Sequence, residues 1–138
     1  MGSPITITNA IGAEITTVNP FPGGTPLAVT SGNAANASAV ATLPAVATRL
    51  NYLSGFDVTG SGATAGFPVV VTIAGLAAGT MTYTYAATAG VLVLNTPINI
   101  RLPVPLPASA VNIAITVTCP ALGLGATNNV VNAFGYLV

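Results

Sequence analysis

The chain has 138 residues, and only four of them carry a formal charge: Glu14, Arg49, Asp57 and Arg101. A soluble domain of this length has about 35 charged side chains, whereas here 3% of residues are charged, 52% are hydrophobic and the formal net charge is zero. General acid–base chemistry, metal ligation and phosphate binding depend on ionisable side chains, and the chain has no histidine or lysine. The composition therefore argues against an enzyme, a cofactor or metal site, and a nucleic-acid-binding surface.

The length suits one domain with a core of its own. The uncharged stretch Val58–Ile100 is broken by glycines and prolines, so it contains no predicted membrane span. No basic residue precedes an apolar segment at the amino terminus, and we therefore expect synthesis in the cytoplasm without a secretory signal. A chain without net charge loses a common source of solubility, so we expect partner molecules to cover much of its surface.

Alternation of apolar and polar residues with period two predicts strands along the whole chain. In chain order they are Ile5–Thr8, Leu27–Thr30, Arg49–Thr59, Val69–Ala74, Thr80–Ala86, Val91–Leu94, Ile98–Leu102, Val111–Val117 and Asn129–Val138. The Ala-rich segment Asn33–Thr42 is assigned to strand or loop. The short Gly75–Gly79 connection predicts that the strands on either side of it form a hairpin. Helices are not expected, because β-branched residues dominate.

Eight or nine short antiparallel strands in one domain predict an all-β sandwich of the jelly-roll type. We assign the sandwich to residues 26–138 and an extended N-terminal arm or edge strand to residues 1–25. The arm is expected either to add as a strand to a neighbouring subunit or to form the first strand of the sandwich. Three prolines in Leu102–Pro107 exclude a central strand, so this segment is predicted to be an extended connection or an edge.

The predicted strand Arg49–Thr59 carries two of the four charges, and Gly55 within it is a candidate bulge. The alternation assigns Leu50, Tyr52, Phe56 and Val58 to one side and Arg49, Asn51 and Asp57 to the other. Arg49 and Asp57 are then about 26 Å apart and cannot pair within the strand. Each needs another partner: Glu14, Arg101, a backbone group or a second molecule. All four charged residues are therefore candidate interface residues, or ordinary exposed and intrachain-paired ones.

The remaining chemically active side chains fit structural roles better than a site. Cys119 follows an alternating strand and is expected to be a small buried hydrophobe. Four tyrosines lie in predicted strands, where core packing is the simpler interpretation and a sugar-stacking platform is the alternative; they are Tyr52, Tyr83, Tyr85 and Tyr136.

Four segments resemble a family of small proteins encoded by tailed bacteriophages, the head decoration or cement proteins. They are Tyr52–Ala65, Gly79–Tyr85, Pro107–Asn112 and Gly125–Asn129, and the likeness extends over about residues 27–138. The resemblance implies a jelly-roll-type fold and a non-enzymatic structural role on the virion. It implies a homodimer or homotrimer that binds the major capsid protein lattice and reinforces the capsid surface. No catalytic residue is carried over.

Two functions therefore remain open from the sequence. The first is a capsid decoration protein, made in the host cytoplasm and located on the virion, with no cofactor, nucleic acid or membrane partner. The alternative is a β-sandwich module on the virion surface or tail that binds a host receptor or glycan.

Overall fold

The computed structural model describes residues 24–91 and 93–138, and within these ranges it contains eight strands and no helix. The strands are β1 (Thr25–Thr30), β2 (Ala39–Leu43), β3 (Asn51–Ser61), β4 (Phe67–Ala74), β5 (Met81–Ala87), β6 (Ile98–Pro107), β7 (Ile115–Cys119) and β8 (Asn128–Leu137). The predicted strand Ile5–Thr8 and the charged Glu14 lie outside the described residues, as does nearly all of the predicted arm.

The strands form two four-stranded antiparallel sheets. Sheet I has the order β1-β8-β3-β6, and sheet II has the order β2-β7-β4-β5. Only β4 and β5 follow each other within one sheet, and they form the predicted hairpin. Each of the other connections between described strands crosses from one sheet to the other. This order is that of a jelly roll, so the predicted fold class is confirmed.

The core lies between the two sheets and is built from every second residue of the strands. Burial alternates without interruption in β2, β7 and β8. Phe56 of sheet I is the largest side chain in the core and is 1% exposed. Its ring meets that of Tyr83 from sheet II edge to face, with centroids 5.2 Å apart and an interplanar angle of 68°. Each fully buried Val, Leu, Ile or Phe contributes about 1.5 to 3 kcal/mol to folding, so this layer is what joins the two sheets.

Strand β3 contains the predicted bulge, since its register against β6 and β8 shifts between Leu53 and Gly55. The extra residue reverses which side chains face inward, because side chains alternate with period two. Asn51 is therefore buried on the core side, and Tyr52 lies on the outer face opposite Tyr136. The prediction that Tyr52 shares a face with Phe56 was wrong, and so was the placement of Asn51 beside Asp57.

The strand predicted over Val111–Val117 begins later, at Ile115. Asn112 has a φ of 59°, outside the extended region. Its backbone N–H donates to the Arg49 carbonyl at 2.9 Å instead of joining a sheet ladder. Val111 is consequently 55% exposed rather than buried. Local backbone contacts at this end of the sandwich outweigh the alternation in the sequence.

The strand predicted at Val91–Leu94 is also absent from the described part of that segment. Val91 lies in a turn, and the Val93 N–H donates to the Gly90 carbonyl at 3.2 Å. Leu94 makes only an isolated bridge to Ser61 and is 78% exposed. The described apolar residues of this segment therefore lie in a surface loop.

Strand β6 is an edge strand of sheet I, as the prolines predict. It pairs with β3 through Ile98–Arg101 and again through Leu106 and Pro107. Between these two stretches, Leu102–Pro105 stand opposite the single residue Ser54. This segment bulges from the sheet because its prolines cannot donate to a ladder. The segment assigned to strand or loop, Asn33–Thr42, contains all but the last residue of β2 (Ala39–Leu43).

Candidate functional site: the two outer sheet faces

The outer face of sheet I carries the ion pair of the described chain. Arg101 Nη1 donates to Asp57 Oδ1 at 2.9 Å and Nη2 donates to Oδ2 at 3.4 Å, across the β3–β6 pairing. The arginine side chain is 54% exposed and the aspartate 20%. An ion pair this exposed contributes at most about 1 kcal/mol to stability. The pair is therefore an electrostatic feature of the surface more than a source of stability.

Arg101 also reaches across β3 to an aromatic ring on β8. Its guanidinium carbon lies 4.6 Å from the centroid of Phe134, which is cation–π distance. Gly55 stands between them in the sheet register. A Cβ on Gly55 would come within 3.1 Å of Arg101 Cδ and 2.5 Å of the Ile100 carbonyl oxygen. The bulge glycine thus allows the arginine to lie flat on the sheet.

Arg49 does not join this cluster. Arg49 Nη2 donates to the carbonyl of Leu137 at 3.2 Å, where it binds the end of β8. Glu14 lies outside the described residues. Of the four charged candidates, the structure brings together Asp57 and Arg101 and places Arg49 elsewhere. Phe134 was not among the sequence-predicted site residues. The sequence signal that could have identified it was its position on an alternating strand.

The four tyrosines divide between the core and the outer face of sheet I. Tyr83 and Tyr85 on β5 pack against the core, as predicted. Tyr52 and Tyr136 stand opposite each other on neighbouring strands and remain half-buried outside the core. Core packing was therefore the wrong interpretation for these two. Together with Phe134 they place three aromatic rings on the face that holds the ion pair.

Cys119 is fully buried, which confirms the prediction of a small apolar residue. Its sulfur lies 3.6 Å from the hydroxyl oxygen of Tyr85. Burial raises the pKa of the Cys119 thiol and, with the thiol contact, also raises the pKa of Tyr85. Both groups are thus held in their neutral forms at ordinary pH. Neither has the low pKa that a reactive nucleophile requires.

The outer face of sheet II has a different composition. One row runs across all four strands as Val40, Thr118, Thr72 and Thr82. The flanking outward positions are Thr42, Thr84, Thr116, Pro68, Val70, Ala74 and Ala86. These eleven positions include six threonines and no charged residue. Neighbouring strands are about 4.8 Å apart, so the row presents methyl and hydroxyl groups at that interval. We call this surface the threonine face.

Alternation in β5 and β7 predicted a neutral polar side for each strand, but it did not predict that the two sides join. Thr72 of β4 lies between Thr82 and Thr118 and connects them. Strand order in the sheet therefore turns separate threonine patterns into one continuous surface.

Residues 24–91 and 93–138 contain no group of three or more His, Cys, Asp or Glu side chains arranged to hold a metal ion. Within the same ranges there is no helix of the length and hydropathy required to cross a membrane.

Comparison with known proteins adds no relative: no protein-family model, no curated protein and no solved structure matches this chain.

Proposed function

We propose that this chain is a non-enzymatic structural protein of a bacteriophage virion, a decoration or cement protein that binds the major capsid protein lattice and stabilises the head. The observation that carries the proposal is the threonine face, a surface spanning four strands without a charged side chain. Such a surface can be buried against a partner without stripping water from an ion. The jelly-roll fold, which also occurs in capsid proteins, is compatible with this role.

The two outer faces differ in what burial would cost. Covering the outer face of sheet I removes water from Asp57 and Arg101, and desolvating an ion pair costs several kcal/mol per ion before any new contact compensates. Covering the threonine face carries no such penalty, and its hydroxyl groups can pair with partner polar groups. We therefore assign capsid contact to the threonine face and leave the ion pair at the solvent side.

Stabilisation of the head then follows from many modest contacts. Each copy that bridges two capsid subunits adds bonds that must break before the subunits separate. Repetition over a lattice makes weak individual contacts effective together. Because these contacts are apolar and hydrogen-bonded, binding should depend weakly on salt.

Two neutral residues on opposite faces provide the test. Thr72→Lys places an ammonium group at the centre of the threonine face, and Thr59→Lys makes the same change on an exposed residue of the outer face of sheet I. Burying an unpaired ammonium costs several kcal/mol, and each 1.4 kcal/mol weakens binding about tenfold. We expect Thr72→Lys to abolish attachment to purified heads and Thr59→Lys to retain it.

Electron cryo-microscopy of the particles gives the readout. Copies in register with the capsid lattice support the proposal. Wild-type protein that is washed off by high monovalent salt, or that is lost equally with both substitutions, contradicts the assigned mechanism. Absence of the protein from purified particles contradicts the function itself.

Host-glycan binding on the virion surface is the second candidate, favoured by the placement of Tyr52 and Tyr136 beside the Arg101–Asp57 pair on one outer face. Aromatic rings with neighbouring polar groups suit sugar stacking. A glycan array checks it: reproducible binding that Tyr136→Ala removes and Tyr83→Phe retains supports this role, and absence of binding across the array argues against it.

A further inference from the structure

The free edge of β5 lacks the usual protection against strand addition. β5 is at the end of sheet II, and among the described strands only β4 pairs with it. Its seven residues include no proline, glycine or charged side chain. Exposed backbone N–H and C=O groups on such an edge bind other strands, and natural proteins normally block them with proline, lysine, bulges or short strands.

The other three edges are protected in these ways. β6 contains Pro103, Pro105 and Pro107 and the bulge at Leu102–Pro105. β1 contains Pro26, and β2 has only five residues. Among the described strands, β5 therefore has the edge that is most open to strand addition.

We propose that β5 pairs antiparallel with β5 of a second copy of this chain, across a twofold axis at Thr84. Thr84 is the midpoint of Met81–Ala87, so a register centred on it pairs every residue of the strand. The pairs are Met81 with Ala87, Thr82 with Ala86, Tyr83 with Tyr85, and Thr84 with its own copy. Large side chains thus face small ones at both ends, and like residues meet at the centre.

The edge carries no charge that would oppose pairing with a second copy. Residues near a twofold axis lie close to their own copies, so a charge near the centre of the edge would repel its partner. β5 has no charge to repel. Pairs of aromatic residues and pairs of threonines across neighbouring strands are favourable. This register supplies the aromatic pairs on the core side and the threonine pair on the outer side.

A groove beside β5 provides further contact area. It has a volume of about 520 Å³ and is lined by residues 66–68 and 84–87. In the proposed register, Met81 of the second copy stands opposite Ala87, at this groove. Methionine is flexible and adapts to irregular apolar spaces. The second copy would therefore cover the groove as well as the strand edge.

The contact is of moderate size. Seven paired residues extend over about 24 Å. A single strand edge of this length buries less area than the roughly 800 Å² per partner of a standard stable interface. We therefore expect a dimer in the micromolar range. The inference goes beyond the proposed function, because the pairing belongs to the isolated chain and is measured without any particle. It stands or falls independently of capsid binding.

Sedimentation equilibrium of the full chain at about 1 to 200 µM covers this range. Wild type is expected to shift from monomer to dimer. Thr84→Lys and Thr84→Glu each place like charges across the axis and should weaken association at least tenfold, whereas an equimolar mixture of the two should restore it. Thr42→Lys, an exposed threonine in the opposite edge strand of the same sheet, is the matched control and should dimerise like wild type.

Oxidative cross-linking checks the register. Thr84→Cys should form an intermolecular disulfide under copper phenanthroline, since facing residues in an antiparallel pair are about 4.5 to 5.5 Å apart. Thr82→Cys should not, because its own copy is four positions away, about 14 Å. Cys119 is buried and does not compete. A wild-type chain that stays monomeric at about 200 µM, or cross-linking of Thr82→Cys in preference to Thr84→Cys, overturns the proposal.

Discussion

Replacing Asn129 by alanine tests whether a buried amide fastens two loops to the last strand. Asn129 lies on the core side of β8 and is fully buried. Its Nδ2 donates to the carbonyl of Ala37 at 3.0 Å and to that of Pro120 at 3.1 Å. These carbonyls belong to the connections that enter β2 and leave β7. One side chain therefore links three segments that are distant in sequence.

The expected loss follows from these two bonds. Each neutral hydrogen bond contributes about 1 kcal/mol net, and a buried carbonyl left without a donor costs a further 1 to 3 kcal/mol. Part of this is offset, because Asn129 Oδ1 is buried without a partner and alanine removes that penalty. We expect Asn129→Ala to lower the free energy of unfolding by about 2 to 3 kcal/mol, which is about 6 to 10 °C in Tm for a domain of this size.

The neighbouring asparagine provides a matched control. Asn128 is exposed, and its Nδ2 donates to the Ser61 hydroxyl at 2.9 Å. The Ser61 hydroxyl keeps the Thr127 hydroxyl as a partner at 3.3 Å, so Asn128→Ala should cost less than about 1 kcal/mol. Urea unfolding followed by circular dichroism, at one fixed protein concentration, measures both variants. Equal losses for the two substitutions, or a loss below about 0.5 kcal/mol for Asn129→Ala, would refute the reasoning.

Three further substitutions or conditions test other parts of the fold. Gly135→Ala places a Cβ against a backbone carbonyl of β3 and should cost about 3 kcal/mol of stability or prevent folding. Gly66→Ala is the control: its Cβ would make only an ordinary 3.6 Å contact, so it should be nearly neutral in the same unfolding assay. Arg101→Ala should cost about 0.5 to 1.5 kcal/mol from the ion pair and the ring contact together, and a loss unchanged in 1 M salt would show that the ion pair contributes nothing. Raised pKa values of Cys119 and Tyr85 mean that the folded state keeps protons which the unfolded state releases. The contribution of these two groups to the free energy of unfolding should therefore be fully present below about pH 8.5 and decrease as the pH rises above it. Thermal melts between pH 7 and 11 that show constant stability would contradict this.

Period-two alternation was sufficient to predict the fold class and most strands, because inward positions must be apolar whichever sheet a strand joins. The prediction failed where a single residue shifted or interrupted this alternation. The bulge at Gly55 was predicted, yet its effect on Tyr52 and Asn51 was not, since an extra residue reverses every face assignment on one side of it. At Asn112 the positive φ and the bond to Arg49 ended the alternation for reasons that the local sequence does not contain.

The candidate surfaces depended on information that the sequence holds only indirectly. Arg101 and Asp57 are 44 positions apart and meet because β6 pairs with β3. The threonine face requires β4 to lie between β5 and β7. Almost every connection crosses between the sheets, so neighbours along the chain are seldom neighbours in a sheet. Strand content was therefore predictable, while strand order, and with it the composition of each face, was not.

The prolines of β6 and the shortness of β2 also determine how far strand addition can proceed. Uncharged strands of alternating Thr, Val and Tyr have the composition of fibre-forming segments. A contact between two identical edges closes on itself, whereas a contact between two different edges leaves a free edge on each copy and can repeat into a filament. Among the described strands, no edge other than β5 is open to strand addition. A sheet therefore cannot continue to grow from copy to copy. A chain nearly without charge can thus reach high local concentration as discrete particles and avoid becoming a filament.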